Sequence, residues 1–246
     1  MAKSVFRAHA IPAQAGSVAT STVEERLAFL KRVYAWMTAA LVVAALGGAI
    51  AIDTGAALWL LQGGFVLNLL VVFAWMGLAY VARAVRHKPV VNILAYAGYA
   101  LFTGFVFSDI LLVAMLFAQA VGHGSMYFIY QALITTVAVF GGLTFYTMVT
   151  KRDFSFLRGF LVAGVIGLIV VGILNYFLQS SVLGMVMSLF GVLIFSGYVL
   201  YDTQKILKTY PNREHVAASL ELFVDFVLLF IYILNLILRI AAAGRD

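Results

Sequence analysis

Cysteine is absent from all 246 residues, which removes a disulfide framework, a thiol nucleophile and any zinc site built on thiolates. Charge is scarce as well. Only 11% of the residues are Asp, Glu, Lys or Arg and 64% are hydrophobic, against about 25% and about 45–50% in a soluble domain. No Gly-x-Ser-x-Gly, His-Glu-x-x-His or phosphate-loop pattern occurs, so the corresponding hydrolases and nucleotide enzymes lack a starting residue. No enzyme and no cofactor are expected. His9, His87, His123 and His215 lie in the tail and loops without metal-ligand spacing and read as surface residues. What is present is apolar sequence in long runs, the mark of an all-α polytopic protein whose first partner is the lipid bilayer.

Seven stretches are long and apolar enough to cross a membrane: residues 33–52, 58–81, 90–117, 126–149, 156–178, 183–201 and 220–240. The third is too long for one upright span and contains Ser108-Asp109, so a tilted or broken helix is expected there. Residues 1–25 lack the apolar core of a signal peptide. They read as a flexible cytoplasmic tail, and residues 26–246 as one seven-helix transmembrane domain. Fourteen of the sixteen Lys and Arg precede the first span or follow the second, fourth and sixth, while the connections 53–57, 118–125 and 179–182 carry none. Because cytoplasmic loops retain positive charge, the N-terminus is expected inside the cell. A last segment that crosses puts the C-terminus outside, and a re-entrant one would return it. The net charge of +6 is accounted for by topology, and without an interleaved aromatic patch no nucleic-acid partner is expected.

Against this background two carboxylates are out of place. Asp202 lies in Gly197-Tyr-Val-Leu-Tyr-Asp-Thr-Gln-Lys205, and Asp225 in Leu220-Glu-Leu-Phe-Val-Asp-Phe-Val-Leu-Leu-Phe230. A carboxylate at membrane depth costs about 2.5–3.5 kcal/mol on insertion scales and marks a functional site by default. In the last span Glu221, Asp225, Leu228, Tyr232, Asn235 and Arg239 recur every three or four residues and form one stripe. Lipid would reject that stripe, so this helix is expected inside the bundle. In the sixth span Gly184, Ser188, Gly191, Phe195, Tyr198 and Asp202 recur in the same way, and their small members permit close helix approach. Span six runs inward and span seven outward, which puts both aspartates in the cytoplasmic part of the membrane. With span six ending near residues 201–207, Asp202 would sit at a helix C-terminus and oppose the macrodipole, while Asp225 near a helix start would be favoured. Two neighbouring carboxylates would titrate in coupled steps and sense pH. The plainer alternative is that Asp202 pairs with Lys205 and Asp225 makes a helix-terminal hydrogen bond, both for assembly alone.

Four blocks carry a resemblance: Tyr34-Ala-Trp-Met37, Thr150-Lys-Arg-Asp-Phe-Ser155, Gly197–Ile206 with its Tyr-Asp-Thr-Gln core, and Phe223-Val-Asp-Phe-Val-Leu-Leu-Phe230 followed by Asn235-Leu-Ile-Leu-Arg239. In these the chain resembles the transmembrane Bax inhibitor motif family, in its bacterial branch. The resemblance implies a seven-helix fold with a central last helix, in the inner membrane, and a pH-sensitive calcium leak gated by an aspartate dyad. It carries those gating roles to Asp202 and Asp225, and implies that calcium, as the permeant ion, contacts both. It also implies an arginine latch near the end of span two, for which Arg83 is the candidate and Arg86 the reserve. Glu221, Tyr232, Asn235 and Tyr198 are candidate pore-lining residues. Asp109 either lines a path or marks a helix break, and Asn68 is the nearest polar residue to a span-two carboxylate of some relatives.

Two other functions compete. Some relatives restrain a membrane-bound AAA protease, a contact the tail at residues 2–22 could make. Intramembrane aspartyl proteases also carry a Tyr-Asp in one helix and an aspartate in the next, but Asp225 follows Phe223-Val224 in place of Gly-x-Gly, and no Pro-Ala-Leu turn follows. The glycine pairs Gly47-Gly48, Gly63-Gly64 and Gly141-Gly142 are read as close helix contacts.

Overall fold

The computed structural model describes Val18 and residues 21–244. The expected tail over residues 1–25 therefore falls mostly outside the described residues, and α1 (Val23–Asp53) has already begun before it ends. A reciprocal capping box starts that helix: the Thr22 amide donates to Glu25 Oε2 at 3.0 Å and the Glu25 amide donates to Thr22 Oγ1 at 3.3 Å. The remaining helices are α2 (Ala56–Gln62), α3 (Gly64–Ala84), α4 (Pro89–Val106), α5 (Ser108–Ala120), α6 (Tyr127–Val149), α7 (Leu157–Leu178), α8 (Ser181–Thr209) and α9 (His215–Ala243). All these elements are helices, as a chain that must satisfy its backbone within each segment requires in lipid.

Six of them are individually long and apolar enough to cross a bilayer, and α4 with α5 makes a seventh when counted as one broken span. The break falls at Phe107 with a bend of 42°, where the sequence led us to expect it. The outward faces of α3, α6 and α7 expose Val66, Leu70, Phe73, Ile134, Phe145, Ile166 and Phe177. Apolar surface on this scale, on helices long enough to cross a bilayer, suits lipid. The protein is an all-α, multi-pass membrane protein.

The helices form two compact units. One holds Ala132–Arg213 and Val224–Asp246 with the chain up to Leu30; the other holds Lys31–Gln131 and Glu214–Phe223. In the second, α1 lies on α4 almost backbone to backbone. A Cβ on Gly47 would overlap the Leu101 carbonyl, and one on Gly104 would overlap the Ala44 carbonyl and come within 2.7 Å of the Gly48 amide nitrogen. In this unit the start of α9 is held by α4: the Tyr96 hydroxyl donates to the Ser219 carbonyl at 3.2 Å, and Tyr96 and Tyr99 pack edge-on to Phe223 at 5.8 and 6.0 Å.

From His215 to Arg239 no residue of α9 is exposed. A helix with no exposed residue over this length faces protein more than lipid, as a central last helix must. It also runs unbroken for 29 residues, about 43 Å at 1.5 Å per residue.

Three local expectations are corrected. Span two does not begin at residue 58, because α2 ends at Gln62 and Gly64 adopts a left-handed φ of 71°. Gly63-Gly64 is thus a chain break and not a helix contact. Asn68 seals it, donating to the carbonyls of Gly64 at 3.0 Å and Leu60 at 3.2 Å. Gly141-Gly142 makes no close contact either: a Cβ on either residue meets nothing within 4 Å among the described residues. Finally, α8 does not stop near Tyr201 but continues to Thr209, because the apolar window ends there while good helix formers (Gln204, Lys205, Leu207, Lys208) do not.

Candidate functional site

The two stripes read from the sequence face each other. Glycines on α8 make the room: a Cβ on Gly184 would overlap the Arg239 guanidinium, and one on Gly191 would overlap the Tyr232 ring. Seven residues further along α8 is matched by seven residues back along α9, the pattern of an antiparallel pair in fixed register. Another seven reaches Tyr198 on one helix and Asp225 on the other, and the Tyr198 hydroxyl lies within electrostatic reach of both Asp225 and Asp202. The register thus brings the two aspartates to one stretch of the seam.

Both carboxylates are buried, with 9% of Asp202 and 4% of Asp225 exposed. Lys205 Nζ lies 3.6 Å from Asp202 Oδ1, so the pairing proposed for assembly does form. On a solvent-exposed helix an i,i+3 pair contributes about 0.2–0.5 kcal/mol, whereas a carboxylate at membrane depth costs about 2.5–3.5 kcal/mol. The expected electrostatic asymmetry between the two acids is lost. Asp202 lies two turns inside the end of α8 and Asp225 in the third turn of α9, and the macrodipole effect fades beyond the terminal turn.

Beyond the acids the seam is closed by rings. Phe195 stacks on Tyr198 at 5.7 Å and on Tyr232 at 5.4 Å, giving a three-ring column that spans both helices. Stripe periodicity included these residues, but the stack itself depends on the inter-helix register. Asn235 turns its amide back onto its own helix, donating to the Ile231 carbonyl at 3.0 Å. Glu221 is buried one turn before Asp225. Among the described residues no three His, Asp or Glu side chains are grouped to hold a metal.

Sequence reasoning missed Gln204. Its Oε1 accepts from the Phe154 amide at 2.8 Å and its Nε2 donates to the Arg152 carbonyl at 2.7 Å. Asp153 adds an ion pair to Lys208 at 3.5 Å. The side chain is buried, with 6% exposed, and it fastens the α6–α7 connection to α8 two residues beyond Asp202. Two of the four motif blocks are therefore joined across 50 residues of chain. The signal was present in the Tyr-Asp-Thr-Gln block, but nothing in one sequence names the amide's partner.

A family model described as inhibitor of apoptosis-promoting Bax1 matches residues 26–242. The chain belongs to the Bax inhibitor family. It is similar to the Golgi anti-apoptotic protein of Vaccinia virus (strain Lister), 33% identical over 90% of this chain and 89% of that one. It is similar to protein lifeguard 4 of Mus musculus, 31% identical over 89% and 87%. It is also similar to Bax inhibitor 1 of Schizosaccharomyces pombe, 34% identical over 86% and 76%.

The other residues expected from the family pattern have these surroundings. Arg83, in the last turn of α3, is exposed and within electrostatic reach of the Tyr99 hydroxyl in its own unit. Arg86 lies 3.9 Å from Glu214, which His87 also approaches at 3.3 Å. Asp109 sits in the first turn of α5, where its Oδ1 accepts from the Ile110 amide at 2.7 Å; this is a helix-start role, favoured by the macrodipole, and matches the break. Of residues 2–22, considered for protease contact, only Val18, Ser21 and Thr22 are described.

Proposed function

We propose that this protein is a pH-sensitive calcium leak of a bacterial inner membrane, gated by Asp202 and Asp225. One observation carries the reading: two polar stripes, one from each of two apolar helices, meet in a register that converges on a pair of buried carboxylates. A stripe of this kind, enclosed by protein, is the arrangement by which membrane proteins build ion and proton paths. Ionised, the pair attracts a divalent cation and holds it loosely through water. Protonation removes that attraction and changes the balance of closed and conducting conformations. The three-ring column of Tyr198, Phe195 and Tyr232 is the apolar constriction that an ion leaving the acids must pass, and such constrictions gate by excluding water. The reading needs no catalytic step and no cofactor.

The test is calcium flux into proteoliposomes as a function of pH for the wild type, Asp202→Asn and Asp225→Asn. Asn mimics the protonated acid without titrating, so each variant should lose the pH response of the wild type. Equal flux with equal pH response in all three proteins would overturn the dyad gate.

A further inference from the structure

The α6–α7 connection is fixed by several tethers, and the seam between α8 and α9 does not include it. Its backbone is held by Gln204 at Arg152 and Phe154. Phe154 is buried, with the Tyr146 ring 6.0 Å away. Within the loop the Ser155 amide donates to Asp153 Oδ1 at 3.0 Å and the Arg152 amide to Thr150 Oγ1 at 3.3 Å. A loop fixed this firmly presents its remaining side chains in a set arrangement.

Those side chains are three cations and two rings. Lys151, Arg152 and Arg158 are all exposed. The single carboxylate of the segment, Asp153, is drawn across to Lys208 on α8, and none of the three cations has an ion-pair partner among the described residues. Phe156 is 67% exposed and Phe160, one turn on, 66% exposed. The segment joins two helices that are each long enough to cross a bilayer, so it lies at a membrane–water boundary whichever way the chain is oriented. Three uncompensated cations beside a pair of outward rings match an anionic amphiphile, with phosphate for the cations and acyl chain for the rings.

We infer that residues 150–160 form a docking surface for the headgroups of anionic phospholipids, and that Gln204 is the positioning residue linking this surface to α8 beside Asp202. The occupant is a lipid and not a soluble anion, because Phe156 and Phe160 add an apolar surface beside the cations that an acyl chain can cover and a soluble anion cannot. Lipid on the loop pulls on the Arg152 and Phe154 backbone, and the Gln204 amide transmits that displacement to the helix turn that carries Asp202. The lipid-binding part stands independently of calcium flux; only the link through Gln204 rests on the calcium reading.

The experiment uses the full chain in phosphatidylcholine vesicles with graded phosphatidylglycerol, and spin-labelled versions of both lipids. The wild type should immobilise phosphatidylglycerol in preference to phosphatidylcholine. Each cation near a membrane surface is worth roughly a fivefold change in affinity, so the triple variant Lys151→Gln, Arg152→Gln, Arg158→Gln should lose most of the preference. The charge-conserving set Lys151→Arg, Arg152→Lys, Arg158→Lys should keep it, which separates lost charge from lost fold. Equal preference in the wild type and the triple Gln variant would overturn the surface, as would displacement of the lipid by soluble glycerol phosphate. For the link, Gln204→Ala frees the loop backbone but keeps its three charges, so it should retain part of the preference for phosphatidylglycerol and, at phosphatidylglycerol contents that saturate binding, lose the dependence of calcium flux on it. A flux that still follows phosphatidylglycerol in Gln204→Ala would overturn the link. No flux in any protein would overturn the calcium reading, and the link with it, and leave the lipid surface standing.

Discussion

Two of the glycine-built helix seams among the described residues do opposite things with that residue. Between α1 and α4, Gly47, Gly48 and Gly104 let main chain meet main chain, so that the space a Cβ would fill is occupied by the carbonyls of Leu101 and Ala44. Between α8 and α9, Gly184 and Gly191 leave space that is filled by side chains, the Arg239 guanidinium and the Tyr232 ring. The first seam is a joint whose value lies in its tightness. The second is a slot that seats large polar and aromatic groups along a line leading to two carboxylates. Small residues in a membrane helix thus do not announce which use they serve; what faces them decides it.

The sharpest way to break the comparison is at Gly104. In Gly104→Ala the added methyl meets backbone on two sides, the Ala44 carbonyl and the Gly48 amide nitrogen, and backbone within a helix cannot turn aside. Overpacking typically costs about 1–3 kcal/mol and more where relaxation is blocked. A loss of about 3 kcal/mol or more, read from unfolding in detergent, is expected. A variant as stable as the wild type would mean that the tight joint does not exist.

Gly191→Ala should behave differently. The obstacle is the ring of Tyr232, a side chain that can rotate, so about 1–2 kcal/mol is expected. The larger change should appear in function: displacing Tyr232 separates it from Phe195 and opens the ring column, raising calcium leak several-fold under the proposed reading. If Gly191→Ala lost as much stability as Gly104→Ala with no change in flux, the α8–α9 seam would be a joint like the other.

This difference between the seams marks how far the sequence could be read. Hydropathy located every long helix, and the excess length of residues 90–117 with Ser108-Asp109 exposed the break at Phe107. The periodicity of Asp225, Tyr232 and Arg239 on one side, and of Gly184, Gly191 and Tyr198 on the other, gave both stripes, because a helix face is a local property of the chain. Three features were hidden. The register between α8 and α9 and the Gln204 clamp are contacts between segments, to which one sequence gives no coordinates. The extension of α8 to Thr209 was hidden because apolar windows report membrane depth and not where hydrogen bonding ends. The glycine pairs show the same limit, for Gly47-Gly48, Gly63-Gly64 and Gly141-Gly142 have the same composition but serve as joint, break and open surface.

Gly142 supplies the control for both seams. It lies within α6, is exposed, and a Cβ there meets nothing within 4 Å among the described residues. Glycine inside a helix is less favourable than alanine by about 0.5–1 kcal/mol, through backbone entropy alone. Gly142→Ala should therefore raise stability by up to that amount in the same unfolding assay. A loss would show that this glycine is in contact after all, and that glycine in this protein always means packing.

The smallest expected effect concerns the Asp202–Lys205 pair. If the aspartate is held in place for assembly by its lysine, then Lys205→Ala should strand a buried carboxylate and cost several kcal/mol. If the pair is incidental to a carboxylate kept for gating, the cost is that of an i,i+3 contact, about 0.2–0.5 kcal/mol, since Lys205 is itself partly exposed and water and neighbouring polar groups replace it. The second outcome is expected. Because Asp202→Asn removes the charge but keeps the shape, the double variant Asp202→Asn, Lys205→Ala closes a cycle whose coupling should also stay below about 0.5 kcal/mol. A coupling of several kcal/mol would return Asp202 to a structural role and make the α8–α9 slot a joint held by charge.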